Sequence, residues 1–189
     1  MNKSGDRKLQ ILQALAGLLE RSHGEKITTA ALAKHLSLSE AALYRHFASK
    51  AQMFDGLIDF IESSIFGLIN RIGEREENGL LQVEAVTTML LHFAERNPGM
   101  TRVLIGDALL NENAGLQRRM SQFYDRLELA IRQCFRLAES QGFIEKEKAA
   151  LYALVLVGFV TGRWHRYARS GFTVRLSDEV AEQIRLLLP

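Results

Sequence analysis

The chain has 189 residues, of which 47% are hydrophobic, and a formal net charge of only +2. This length holds one large domain or a small domain beside a larger one, and no run of about 20 apolar residues is present to span a membrane. The first residues lack the apolar core of a signal peptide, which predicts a cytoplasmic protein, and the single cysteine, Cys134, excludes an internal disulfide and a multi-cysteine zinc site.

Apolar residues recur at steps of three and four along most of the chain, and no alternating strand pattern interrupts them. We therefore predict an all-α protein of about nine helices, with no metal or cofactor. The predicted helices span about 7–22, 29–35, 40–47, 50–73, 80–96, 100–110, 116–141, 146–170 and 178–188. The expected N-cap residues are Thr28 or Thr29, Ser39, Ser49 and Ser177. Gly142 is expected to follow the end of a long helix.

The predicted helices divide the chain at residue 50. Residues 1–50 form the predicted DNA-binding domain and 51–189 the predicted dimerisation and regulatory domain, with the helix at 50–73 connecting them. Positive charge is biased toward the first part, because residues 1–55 hold eight Lys and Arg against five Asp and Glu, whereas the rest holds sixteen against seventeen. This small bias fits a nucleic-acid partner, although a mildly basic solvated surface has the same composition.

Two short amphipathic helix patterns meet at a polar break, Ser37-Leu38-Ser39, which is the layout of a helix-turn-helix. The second pattern places Leu43 and Phe47 on one side, where they can pack into a core. Its opposite side is small and polar and is available to a DNA major groove. The motif therefore predicts that this protein binds duplex DNA.

The exposed side of the second helix carries two pairs of residues four apart, Glu40 with Tyr44 and Ala41 with Arg45. Ala41 suits a thymine methyl and Arg45 a guanine or a phosphate, while Glu40 either accepts from a cytosine amino group or points away. The helix that opens at Lys50 can add its amide groups to a phosphate site. The predicted DNA-binding residues are Thr28, Thr29, Ser39, Glu40, Ala41, Tyr44, Arg45, His46 and Lys50. The alternative is a plain helical hairpin with a solvated Tyr44 and Arg45.

The motif Ile-Thr-Thr-Ala-x-Leu-Ala at 27–33, followed by Ser-Glu-Ala-Ala-Leu-Tyr-Arg-His-Phe-x-Ser-Lys at 39–50, resembles the DNA-binding signature of TetR-type regulators. The resemblance implies an all-helical fold, a homodimer formed through the last long helices, and palindromic DNA sites. Ser37 departs from the glycine usual in that turn. If the backbone there is left-handed, serine costs roughly 1 kcal/mol relative to glycine.

A closer resemblance, to the nucleoid occlusion factors within that family, is carried by residues 53–62, 95–102 and 166–172. It implies a protein that antagonises the division protein FtsZ while bound to the chromosome, and so associates with the nucleoid. The FtsZ tail would lie in a groove between the fourth and fifth helices. The residues that match this groove, with Met89 as a conservative stand-in, are Phe60, Met89, Arg96 and Asn97. Leu68 and His92 depart from the pattern, since the resemblance implies Arg and Gly there.

Two other functions compete with this interpretation. An apolar stretch at 149–160, with aromatic residues nearby, could line a ligand pocket, which would fit a TetR-type repressor released from DNA by a small apolar molecule. Packing in the core and the dimer explains the same residues, and Gly158 and Gly162 would allow close helix approach in that dimer. An enzyme is not expected, because the sequence lacks phosphate-binding, nucleophile-elbow and zinc-protease motifs.

Overall fold

The computed structural model describes residues 3–22, 26–110 and 112–188, and it contains no β-strand within these ranges. The helices in chain order are α1 (Lys3–Arg21), α2 (Thr29–His35), α3 (Glu40–Tyr44), α4 (Lys50–Arg75), α5 (Gly79–Arg96), α6 (Pro98–Leu104), α7 (Ala114–Ser140), α8 (Ala149–Arg169) and α9 (Val180–Leu187). A short 3-10 helix, Asp107–Leu109, lies between α6 and α7. The prediction of an all-α protein with about nine helices is confirmed for the described part of the chain.

These helices form two compact units. The first contains the described residues up to Ile61 together with Asn97–Met120, and the second contains Glu62–Arg96 and the described residues from Ser121 onward. These units group residues by packing. The predicted division at residue 50 concerns function instead, and it stays a prediction.

The first unit is built on α1, α2, α3, α6 and the start of α4. Its core consists of apolar side chains that are almost completely buried, among them Ile11, Leu15, Leu32, Leu43, Met53, Phe54 and Leu57. Leu36 and Leu38, between α2 and α3, are only partly buried. Helix α6 packs directly on α1, because a Cβ atom added to Gly99 would lie 1.8 Å from the carbonyl oxygen of Ala16.

The second unit is built on α5, α8, α9 and the greater part of α7. Phe123, Phe135 and Trp164 are completely buried in it, and the Trp164 indole N–H donates to the carbonyl oxygen of Leu90 at 3.3 Å. Phe135 also stacks on Tyr152, with ring centroids 5.3 Å apart. Phe135 and Trp164, two of the aromatic residues that suggested a ligand pocket, therefore pack in the core of this unit.

The capping residue before α4 and the glycine after α7 were predicted correctly from the sequence. The Ser49 hydroxyl accepts from the Gln52 N–H at 3.1 Å, so Ser49 caps α4 as predicted, and the Gln52 side chain accepts from the Ala48 N–H at 2.8 Å. Gly142 follows α7 in a left-handed conformation with φ of 79°. The Phe143 N–H then reaches back to the Ala138 carbonyl at 2.9 Å, which closes the helix end as expected.

Several predicted helix ends were wrong, among them the start of α1, which lies at Lys3, and the start of α8, which lies at Ala149. Helix α3 ends at Tyr44, three residues early, because the His46 N–H bonds to the carbonyl oxygen of Leu43 in a tighter turn. Helix α6 ends at Leu104, since the chain turns left-handed at Gly106. Helix α9 begins at Val180, and its N-cap position is Glu179, which is left-handed with φ of 59°, so Ser177 lies two residues too early to cap it.

Candidate nucleic-acid interface

The turn between α2 and α3 contains a left-handed residue. Ser37 has φ of 54°, and the following N–H, of Leu38, donates to the Ala33 carbonyl at 2.9 Å. This bond closes the end of α2 and directs the chain into α3. Only glycine adopts this conformation without steric cost, so the turn geometry that fixes α3 is formed by a strained residue.

We expect Ser37→Gly to raise the free energy of unfolding by up to about 1 kcal/mol, because glycine removes the left-handed strain. The greater conformational entropy that glycine gives the unfolded chain offsets part of this stabilisation. Urea unfolding followed by circular dichroism measures this free energy of unfolding. The same change inside helix α4, Ser63→Gly, should instead destabilise the protein. A clear loss of melting temperature in Ser37→Gly would contradict the left-handed turn.

Two hydroxyl groups begin the helices of the motif. Thr28 Oγ1 accepts from the Ala31 N–H at 3.1 Å and Ser39 Oγ accepts from the Ala42 N–H at 3.2 Å, so both residues are N-caps. Each capping hydroxyl uses a lone pair and keeps a proton that it can donate. Both residues are exposed, which leaves them suited to phosphate contacts.

Thr29 and Glu40 are linked to each other. The Thr29 hydroxyl donates to a carboxylate oxygen of Glu40 at 2.5 Å, which joins the start of α2 to the start of α3. A hydroxyl has a single proton, so Thr29 cannot donate to a phosphate while it holds Glu40. In this structure Glu40 is therefore a positioning residue that ties together the two helices of the motif.

Helix α3 presents one side to solvent and the other to the core. Ala41, Tyr44 and Arg45 are exposed, with Tyr44 at 44%, whereas Leu43 is completely buried and Phe47 nearly so. Arg45 follows the last residue of α3, and its N–H still bonds to the Ala41 carbonyl at 3.3 Å, so it stays on the predicted face.

His46 and Lys50 are both partly buried. Lys50 begins α4 as predicted, but its ammonium group contacts a carboxylate oxygen of Glu112. This contact crosses 62 residues of sequence, and no local pattern announces it. A predicted phosphate ligand is thus already paired with an anion.

The residues predicted for the partner groove are distributed over the two units. Phe60 on α4 and Asn97, at the start of α6, belong to the first unit, and both are partly buried. Met89 and Arg96 belong to the second, where they lie on α5 seven residues apart, which is two helical turns and the same face. Arg96 is exposed, so its guanidinium is accessible to an acidic partner.

Leu68 lines a cavity of about 290 Å³ between α4 and α5 within the second unit. The resemblance to nucleoid occlusion factors implied that an arginine is lost here. The cavity walls nevertheless contain Arg71 and Arg75, three and seven residues after Leu68 on the same helix, together with Ile72, Glu76 and Ala85. Positive charge is therefore present beside Leu68. The spacing of Arg71 and Arg75 from Leu68 is a helical-face signal that sequence reasoning missed.

The end of α5 is held by the loop that precedes α9. A carboxylate oxygen of Glu95 accepts hydrogen bonds from the Ser177 N–H at 2.8 Å and the Ser177 hydroxyl at 3.1 Å. The same oxygen also accepts from the Leu176 N–H. The Glu95 carbonyl accepts from the Tyr167 hydroxyl at 3.2 Å. Burial raises the pKa of Glu95, but the bonds from Ser177 and Leu176 and the nearby His92 outweigh it, so the pKa lies below its ordinary value. The stability that this carboxylate contributes is present at neutral pH and is lost as pH falls through its folded pKa.

Helix α8 has an exposed apolar face. Leu151, Leu154 and Val155 are about half exposed, and Gly158 and Gly162 continue the face at helical spacing. A Cβ atom added to either glycine would meet nothing within 4 Å. The face is therefore flat, apolar and open to a second helix.

An all-helical chain that begins with a capped helix-turn-helix and exposes one side of its second helix has the architecture of TetR-type DNA-binding proteins. Residues 11–57 match the family described as bacterial regulatory proteins, tetR family, and residues 77–188 match the SlmA-like C-terminal domain, described as tetracyclin repressor-like. None of the described helices has both the length and the apolar character needed to cross a membrane.

Relatives of known name match almost the whole chain. The nucleoid occlusion factor SlmA of Marinomonas sp. (strain MWYL1) is 48% identical over 98% of this chain and 95% of its own length, and that of Colwellia psychrerythraea is 46% identical over 99% and 95%. The chain belongs to the SlmA family of TetR-type proteins. The crystal structure of FadR from Bacillus subtilis in complex with stearoyl-CoA superposes with a TM-score of 0.80 over 95% of this chain and 97% of that one. At 13% identity, this similarity shows a shared fold.

Proposed function

We propose that this protein is a nucleoid occlusion factor and not an enzyme. As a homodimer it binds palindromic duplex DNA on the nucleoid, in the cytoplasm, and in that state it antagonises FtsZ so that the septum does not close over the chromosome. The proposal rests on the relatives that carry this name over nearly the full length of the chain. Residues 1–50 serve as the DNA-binding domain and 51–189 as the dimerisation and regulatory domain.

The DNA-binding part of the proposal is carried by the exposed side of α3. Ala41 and Arg45 are the base-reading candidates, since a methyl group and a guanidinium match thymine and guanine edges. The two capping hydroxyls, of Thr28 and Ser39, keep their protons for phosphates, and Tyr44 and His46 flank them. Thr29 and Glu40 act through each other, as the link that positions α3 against α2.

Arg45→Ala should weaken binding to a palindromic duplex about 10- to 100-fold, because a bidentate arginine–guanine contact is worth roughly 1–3 kcal/mol. Fluorescence anisotropy against a labelled palindrome measures this affinity. The matched variant Arg136→Ala removes an exposed arginine from α7 and should leave it unchanged. Equal behaviour of the two variants would remove Arg45 from the interface.

The dimerisation part is supported by the open face of α8. Leu151, Leu154 and Val155 would bury apolar area against the same face of a second copy, and Gly158 and Gly162 would let the two helices approach closely. A two-fold dimer places its two recognition helices on two equivalent half-sites, which accounts for a palindromic target.

The partner-binding part concerns Phe60, Met89, Arg96 and Asn97, which we propose contact the FtsZ tail. Arg96 offers an exposed cation for an acidic segment. Arg71 and Arg75 add positive charge at the cavity that Leu68 lines, and so compensate for the arginine that the family pattern has at that position. His92 lies on the same face of α5 between Met89 and Arg96, and it pairs with Glu95 at 3.5 Å.

Arg96→Ala should separate the two activities. We expect unchanged affinity for the palindrome and loss of the DNA-dependent inhibition of FtsZ assembly, measured by light scattering of FtsZ polymers with and without duplex. Arg136→Ala serves again as the control and should retain both activities. If the unaltered protein leaves FtsZ assembly untouched and a small apolar molecule releases it from DNA, the protein is a ligand-controlled repressor instead.

A further inference from the structure

The contact between Lys50 and Glu112 lies at the edge of the predicted DNA interface. The Lys50 side chain is 21% exposed and that of Glu112 only 11%, so the pair is well shielded from solvent. The Lys50 ammonium also lies 5.5 Å from the ring centroid of Phe54, which fixes its direction. Both residues belong to the first unit.

The start of α4 is an anion-binding position. The helix has 26 residues and Lys50 is its first, so the positive end of the helix dipole and a positively charged side chain belong to the same turn. A carboxylate and a phosphodiester each carry one negative charge and offer oxygen acceptors to the same donors. Two such anions on one ammonium repel each other, so a DNA phosphate and Glu112 compete for Lys50.

Nearby carboxylates do not share this role. Asp55 and Asp59, on the same helix as Lys50, each accept from Arg119 at 2.7 Å. Glu40 accepts from Thr29. Each of these acidic groups has a donor other than Lys50, whereas Glu112 is held by a cation that is also a predicted phosphate ligand.

We propose that Glu112 occupies, in the free protein, the anion position at Lys50 that a DNA phosphate takes in the complex. DNA binding displaces Glu112, and the strength of the Lys50–Glu112 contact sets the affinity of the interface. This inference rests on the proposed DNA-binding function. Glu112 lies two residues before α7, so its release also changes the anchoring of that helix's first turn when DNA binds.

The test compares Glu112→Gln with Glu128→Gln. Both variants remove one negative charge from a glutamate in a salt bridge, but Glu128 pairs with Arg132, which is not a predicted DNA ligand. We expect Glu112→Gln to bind the palindromic duplex about tenfold more tightly than Glu128→Gln at low salt, with a gain that shrinks as salt rises. We also expect Glu112→Gln to melt at a lower temperature. A purely structural role for Glu112 would lower stability and affinity together.

A second variant pair locates the effect at Lys50. In a Lys50→Gln background, adding Glu112→Gln should give no gain in affinity, because the ammonium for which the two anions compete is gone. The inference is overturned if Glu112→Gln binds no better than Glu128→Gln, or if its gain persists without Lys50. If the unaltered protein fails to bind any palindromic duplex, the proposed DNA-binding function is wrong, and so is this inference.

Discussion

Gly99→Ala is expected to lower the free energy of unfolding by about 3 kcal/mol, near the upper end of what overpacking costs. The added Cβ would lie 1.8 Å from the carbonyl oxygen of Ala16 and 3.1 Å from the backbone N of Glu20. These are backbone atoms of α1, which cannot move aside as the end of a flexible side chain can. Helix α6 must therefore shift away from α1, and the packing of the first unit is lost in part.

Gly73→Ala is the matched control, since Gly73 is also helical but a Cβ atom there meets nothing within 4 Å. Alanine should stabilise α4 by up to about 1 kcal/mol. Urea unfolding at a fixed protein concentration compares the two variants, because the stability of a dimer depends on concentration. If Gly99→Ala unfolds at the same denaturant concentration as the unaltered protein, α6 does not pack on α1 as described.

Leu154→Glu is expected to convert the dimer to a monomer and to weaken binding to a palindrome by at least about 100-fold. Leu154 is 58% exposed on the apolar face of α8, and a two-fold interface would bury two new carboxylates facing each other. A monomer also loses the second half-site contact, which in a dimer is an intramolecular event.

Analytical ultracentrifugation should give the mass of two chains for the unaltered protein and the mass of one chain for Leu154→Glu. Leu81→Glu, on α5, makes the same chemical change at a leucine that is 48% exposed, and it should leave the dimer intact. A Leu154→Glu protein that remains dimeric and binds the palindrome normally would show that α8 does not form the interface.

Local chemistry made much of the fold predictable. The N-caps at Ser39 and Ser49 and the glycine after α7 depend on bonds between residues within a few positions of one another. The left-handed conformation at Ser37 was raised as a condition by the resemblance to TetR-type regulators, whose turn usually has glycine, and the structure has it. Such features need no knowledge of which helices meet in space.

Contacts between distant residues explain what sequence reasoning missed. Ser177 resembles a helix cap by sequence, but Glu95, 82 residues away, holds its N–H in the loop, and α9 begins only after Glu179. Lys50 resembles a free phosphate ligand until the fold brings Glu112 to it. Spacing alone could have identified Arg71 and Arg75 as neighbours of Leu68, whereas only the packing of α4 against α5 within the second unit shows that all three line one cavity.

The hydrogen bonds of Glu95 join two segments that are far apart in sequence and that both resemble nucleoid occlusion factors, 95–102 and 166–172. Tyr167 in the second segment bonds to Glu95 in the first, and the loop that follows bonds to its carboxylate. Arg96, the next residue, therefore owes its position to the C-terminal part of the chain. The residues of these two segments should therefore change together as the family diverges. A chimera that takes only residues 166–178 from another family member should keep its own DNA specificity, but its partner surface around Arg96 should be misplaced.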